Sequence, residues 1–118
     1  MSVSLVLPYP PSVNHYWGTK GKIRFIGAKG KAFRAEVMAR WYQARQQGFG
    51  RARLEVEILL CPPDRRRRDI DNPAKAMLDA LAHARVFEDD SQIDRLIIVR
   101  GQIEKGGAAV VTIRQIGE

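Results

Sequence analysis

The amino-acid sequence predicts a small α+β domain in the order strand, helix, strand, helix, strand, strand, with the helices packed on a mixed sheet. Three observations carry this expectation. Two segments repeat apolar residues at helical spacing, and the other patterned segments run or alternate over strand lengths. Pro and Gly clusters punctuate the chain between them. The length, 118 residues, supports one hydrophobic core without room for a second domain beside it, so residues 1–118 are read as a single unit.

Val3 to Leu7 is expected to form a short strand, stopped by PYPPSVN, whose prolines cannot continue a hydrogen-bonded ladder. GTKGKIRFIGAKG then reads as a turn, a short basic strand around Lys22 to Ile26 and a glycine-punctuated loop. In KAFRAEVMARWYQARQQ the residues Phe33, Val37, Trp41 and Ala44 recur on one helical face, and Gly48 marks the stop. Leu54, Val56, Ile58 and Leu60 alternate with Arg53, Glu55 and Glu57, the signature of a half-buried strand ended by Pro62 and Pro63. A second helix is expected from Asn72 as N-cap and Pro73 in the first turn, with Ala74, Met77, Leu78, Leu81 and Ala82 as its apolar stripe. Beyond the acidic loop FEDDSQ, RLIIVRGQI and AAVVTIRQI read as two strands of a hairpin closed by EKGG.

Composition narrows the function. The chain is 45% apolar and 28% charged, and no stretch approaches the roughly 20 apolar residues of a membrane span. Met1 to Pro8 lacks a basic start and a long apolar core, so no secretory leader is expected. A lone cysteine, Cys61, excludes an internal disulfide and a cysteine zinc cluster, which fits a reducing cytoplasm. The net charge of +7 is uneven: residues 1–56 carry ten Lys or Arg against Glu36 and Glu55, whereas residues 57–118 carry ten against eleven acids. Such a domain attracts polyanions, nucleic acid first.

The segment DRRRRDIDNPAK concentrates the chemistry. Asp69 and Asp71, two apart, point to one side of an extended chain, although acids before a helix also have the plain explanation of favourable helix-dipole and turn chemistry. Lys75 stands in the first helical turn, against the dipole, and its pairing with Asp79 four residues on has the weaker of the two orientations for a helix ion pair, which invites a functional explanation. Glu88, Asp89, Asp90 and Asp94 follow the same helix, and whether they approach its start depends on the fold. Were three carboxylates to meet, each close pair would repel by about 4 kcal/mol at an effective dielectric of 20, a cost that a divalent cation relieves. With no suitable cysteine set and only two histidines, His15 and His83, oxygen donors point to Mg²⁺ or Mn²⁺. Arg65, Arg66, Arg67 and Arg68 either neutralise the neighbouring aspartates or bind phosphate; in extended chain they alternate sides, so some are left free to bind phosphate.

Taken together, LPYPPSVN, DRRRRD, Asp71-Asn72 followed by Lys75 and Asp79, Asp89-Asp90 and Lys105-Gly106-Gly107 resemble the signature of the RusA family of Holliday-junction resolvases along nearly the whole chain. The resemblance implies a homodimeric, Mg²⁺-dependent endonuclease that resolves four-way DNA by paired symmetric nicks in recombination and repair. It implies Asp69, Asp71 and Asp90 as metal ligands and Lys75 as a catalytic aid, with Mn²⁺ as a substitute ion. Pro73 and Tyr9 depart from the family pattern, and neither is a proposed ligand. Two rival readings are a non-catalytic DNA-binding module of the same fold and a less selective nuclease acting on branched DNA or RNA.

Overall fold

The computed structural model describes residues 1–117. Its elements, in order, are β1 (Ser2–Leu7), α1 (Val13–Tyr16), β2 (Trp17–Lys20), β3 (Ile23–Ile26), α2 (Ala28–Ala44), β4 (Leu54–Cys61), α3 (Asn72–His83), a 3-10 turn (Asp90–Gln92), β5 (Ile93–Arg100) and β6 (Ala108–Gln115). The α+β class stands as expected. The main sheet has the order β1-β6-β4-β5, and β2 and β3 form a separate two-stranded ribbon. Helices α2 and α3 cover one face of the sheet. Among the described residues no helix is long and apolar enough to cross a membrane.

Alternation builds this layer. Val3, Leu5 and Leu7 of β1, Val56, Ile58 and Leu60 of β4, and Ala109, Val111 and Ile113 of β6 are all buried. They meet Phe33, Val37 and Trp41 of α2 and Ala74, Met77 and Leu81 of α3 in one core. The opposite face is polar beside the starts of β1 and β4: Ser4 Oγ lies 3.0 Å from Thr112 Oγ1, and Glu55 pairs with Arg95 and Arg114.

The expected hairpin of the last two strands is not formed. Strand β5 pairs with β4 in parallel, while β6 lies on the other side of β4, antiparallel to it and to β1. The connection between them wraps the end of β4: Gly101 N–H donates to the Leu60 carbonyl (2.7 Å) and Glu104 N–H to that of Pro62 (2.9 Å). Burial explains the choice. Strand β6 offers an unbroken alternation of fully buried residues and takes a central position, whereas β5 carries Asp94, Arg95 and Arg100, which suit a solvated edge.

Smaller differences sit at element ends. The turn expected at GTKG is strand β2, and the four-residue α1 precedes it. The N-cap of α3 is Asp71 rather than Asn72, and Asp71 makes no side-chain capping bond. Asn72 opens the helix and spends its side chain elsewhere, its Oδ1 accepting from Val13 N–H at 2.7 Å. A capping carboxamide has thus become a tether between α3 and the proline-rich N-terminal loop.

The β4–α3–β5 crossover decides where the candidate residues fall. Because β4 and β5 are parallel, α3 must run back along the sheet: its N-terminus follows the end of β4 and its C-terminus precedes the start of β5. A 12-residue helix covers about 18 Å. Residues just before α3 and residues in the 3-10 turn therefore lie toward opposite ends of it.

Candidate active site

A cleft runs along the exposed side of α3, lined by Trp17, Lys75, Leu78, Asp79, Ala82, Asp89 and Asp90. Lys75, Leu78, Asp79 and Ala82 share a helical face, so the cleft extends about 10 Å along the helix. The structure thereby brings Asp90 and Lys75 to one cleft, a convergence the sequence left open.

The expected partner of Lys75 on its own helix is Asp79, four residues on, but Asp79 is engaged elsewhere. Its carboxylate accepts hydrogen bonds from the Tyr16 hydroxyl and from Arg34 Nη2 (2.7 Å) and Nε (3.1 Å). Arg34 Nε also lies 2.7 Å from the Tyr16 oxygen. This network knits α1, α2 and α3 together beneath the cleft. Burial, reinforced by the bond to Asp79, pushes the Tyr16 phenol well above its usual pKa, so it stays a donor at any ordinary pH. Lys75 makes no ion pair among the described residues and is exposed. An ammonium left unpaired at the mouth of a cleft is available to an anionic ligand.

The loop bearing Asp90 is held from beneath by the buried side chain of Gln92. Its Oε1 accepts from the N–H groups of Glu88 (3.0 Å) and Asp89 (2.9 Å), and its Nε2 donates to the carbonyls of Gly50 (2.9 Å) and Ala52 (2.7 Å). Asp89 completes a capping box by accepting from Ser91 N–H at 3.0 Å. Bonds from Ser91 hold the Asp89 carboxyl below its ordinary pKa. Asp90 is left exposed at the first position of the 3-10 turn.

Asp69 and Asp71 are placed differently. Both are exposed in the irregular segment before α3, and Asp69 lines a second cleft with Tyr9, Pro10, Ser12, His15, Arg66 to Arg68, Asn72 and Pro73. Among the described residues no three His, Cys, Asp or Glu side chains gather as a metal cage. The chemistry of the donors nevertheless suits a small hard cation. They are carboxylate oxygens, and Mg²⁺ takes one or two of these and fills its shell with water and substrate phosphate more readily than it enters an all-protein cage.

Within the arginine run the neutralising partner is Asp64. It accepts from Arg68 Nη1 at 2.6 Å and from Arg66 N–H at 2.9 Å, which draws its pKa down to about 2. Arg68 is thereby fixed, with its guanidinium 5.8 Å from the Tyr9 ring centroid. Arg65 and Arg67 are exposed and make no ion pair among the described residues. Of the aromatics beside the N-terminal prolines, Tyr16 is fully buried and Trp17 packs edge-on against it, ring centroids 5.0 Å apart. The Trp17 Nε1–H is buried without a partner where that residue lines the α3 cleft.

Comparison with known proteins identifies the family. The family described as Endodeoxyribonuclease RusA matches residues 8–114. The chain belongs to the RusA endodeoxyribonuclease family. Three relatives agree in name with it. The crossover junction endodeoxyribonuclease of Enterobacteria phage HK97 is 40% identical over 111 residues, covering 94% of this chain and 92% of that one. Its counterpart in Escherichia coli strain K12 is 37% identical over 115 residues, covering 97% and 95%. That of Enterobacteria phage 82 is 38% identical over 114 residues, covering 96% and 94%. Both clefts, the arginine run and the Tyr16–Arg34–Asp79 network lie inside the span matched by the RusA family.

Sequence patterns missed two parts of this site. Arg34 fell off the apolar stripe of its helix and so looked like solvated surface; only its partners, buried Tyr16 and half-buried Asp79, reveal it. Gln92 carried no signal at all, since one glutamine in an acidic loop has many ordinary roles. The spacing of Asp79 from Lys75 was visible, but it suggested the wrong partner.

Proposed function

We propose that this protein is a Mg²⁺-dependent, structure-specific endonuclease that resolves four-way DNA junctions by paired symmetric nicks, acting as a homodimer in recombination and repair. Relatives that share nearly its full span are named crossover junction endodeoxyribonucleases. The observation that carries the catalytic reading is Lys75, unpaired in the same cleft as Asp90 because Arg34 and Tyr16 have taken Asp79.

In this reading Asp69, Asp71 and Asp90 would supply carboxylate oxygens to a divalent cation, one or two to an ion, with water and substrate phosphate filling the rest of its shell. The cation, when bound, supplies charge neutralisation at the scissile phosphate and a more acidic water. Lys75 binds the phosphate and offsets the charge that develops on it. Arg65, Arg66, Arg67 and Arg68 contact the backbone; Arg68, held by Asp64, presents a fixed fork, whereas Arg65 and Arg67 adapt. Two subunits are required because a junction is resolved only when two strands of like polarity are cut, and a two-fold dimer presents two equivalent sets of residues.

The test is cleavage of a labelled four-way junction beside duplex, fork and RNA controls, with and without Mg²⁺ or Mn²⁺. Asp69→Asn, Asp71→Asn and Asp90→Asn are each expected to abolish cutting while junction binding survives. Lys75→Ala is expected to lower the cutting rate more than the binding affinity. Equal cutting of every substrate would favour a less selective nuclease. Tight junction binding with no cutting under any metal would favour a binding module.

A further inference from the structure

The β2–β3 ribbon stands outside the main sheet, and its two faces differ. Register pairs Trp17 with Ile26, Gly18 with Phe25, Thr19 with Arg24 and Lys20 with Ile23. Paired residues share a face and neighbours alternate. One face is therefore Trp17, Thr19, Arg24 and Ile26. Trp17 and Ile26 pack against the core, and the Arg24 guanidinium lies 4.2 Å from the Trp17 ring centroid. Gly27 N–H ties the foot of the ribbon to the Tyr16 carbonyl at 2.9 Å. The other face is Gly18, Lys20, Ile23 and Phe25, and all but Gly18 are exposed. Ile23 is 68% exposed and Phe25 46%. The Phe25 ring lies against Gly18, so close that a Cβ there would sit 2.6 Å from two of its carbons. Glycine has cleared a seat for an aromatic ring that then faces solvent.

We propose that this outward face is a contact for unstacked bases of branched DNA, with Phe25 and Ile23 against the bases and Lys20 and Lys22 on the flanking phosphates. The inference rests on the proposed junction-resolving activity and adds a surface to it. Position supports it: Trp17, at the foot of the ribbon, also lines the α3 cleft, so the ribbon rises from the rim of the candidate active site. Charge selects the occupant. No acidic residue precedes Glu36, and Lys20, Lys22 and Arg24 make no ion pair among the described residues. A second copy presenting the same face would set cation against cation, and a purely apolar partner would leave both lysines without counter-charge. A nucleic acid meets both demands. Base-paired duplex offers its phosphates but hides its base faces, whereas a branch point exposes both.

The experiment uses the full chain, without divalent cation so that nothing is cut, on a four-way junction with 2-aminopurine at the crossover and on a matched duplex. The wild type is expected to bind the junction more tightly and to change the fluorescence of the probe. The double variant Ile23→Ser/Phe25→Ser is expected to lose roughly 5- to 150-fold in junction affinity, the worth of one stacked base, with less than about twofold change on duplex and no fluorescence response. Phe25→Trp, which keeps a stacking face, is expected to retain both. Lys20→Ala/Lys22→Ala is expected to weaken junction and duplex alike and to reduce the salt slope by about two. If the wild type selects the junction and the double variant does so equally, with the same fluorescence, the ribbon makes no base contact and the proposal is overturned. A double variant that changes only the sedimentation of the protein overturns it too, because the face is then a contact between copies. A wild type that does not select junction over duplex takes both readings down together.

Discussion

Replacing Tyr16 by Phe isolates the network under the cleft. The ring of Tyr16 is fully buried and Phe keeps its volume, so the apolar contribution is unchanged and the loss falls on the hydroxyl. That hydroxyl donates to the Asp79 carboxylate and accepts from Arg34, and hydrogen bonds to charged partners contribute about 1.5–3 kcal/mol each. Two considerations reduce the sum. Asp79 keeps its bonds from Arg34, so no charge is orphaned, and the Arg34 and Asp79 side chains are 22% and 30% exposed, so water reaches the vacated positions. A destabilisation of about 2 kcal/mol is expected. For a chain of 118 residues this corresponds to a Tm lowered by roughly 6–12 °C. Urea unfolding followed by fluorescence of the buried Trp41 measures it, with an unchanged m value as the control. The phenol also sets a pH signature. Its pKa is raised on folding, so the unfolded chain ionises first, and wild-type stability falls as pH climbs above about 10. Tyr16→Phe lacks that share of the fall. A change under about 0.5 kcal/mol, or no coupling with Asp79→Asn in a double-mutant cycle, would refute the network as described.

Gln92→Ala is expected to destabilise by about 2–4 kcal/mol, because it strips four hydrogen bonds and leaves the Gly50 and Ala52 carbonyls without that partner; junction cutting should fall further than junction binding as Asp90 loses its support. Unfolding curves and paired binding and cleavage assays check both parts. Arg66→Ala with Arg67→Ala should weaken binding to all DNA of similar shape and flatten the salt dependence by about one unit for each phosphate no longer neutralised, measured by binding across a salt series. The Asp64 carboxyl is expected to titrate near 2 rather than 3.8 by NMR. Since folding lowers that pKa, its contribution to loop stability is present above about pH 3.8 and is lost as pH falls through about 2; Arg68→Ala should return the midpoint toward the ordinary value.

Local pattern was enough to establish much of this protein. The stripe of Phe33, Val37 and Trp41 and the alternation of Leu54 to Leu60 became α2 and β4 because their spacing repeats what one helix face or one strand face can bury. The acid, arginine and lysine motif before and within α3 was equally visible, since it lies within a dozen consecutive residues, and it carried the family resemblance that comparison established. Tertiary structure decided everything that depends on who lies beside whom. EKGG looked like a hairpin, yet β6 moved between β1 and β4 because a strand whose inward residues are all apolar gains more from a central position than from its sequence neighbour. Lys75 looked like a partner for Asp79, yet Arg34, 45 residues away, took that carboxylate, and the lysine was left free. Asp69 and Asp90 face different clefts because a parallel crossover stretches α3 between them. Spacing along the chain encodes which face a residue occupies; which face it meets is settled by competition for burial and for charge across the whole fold.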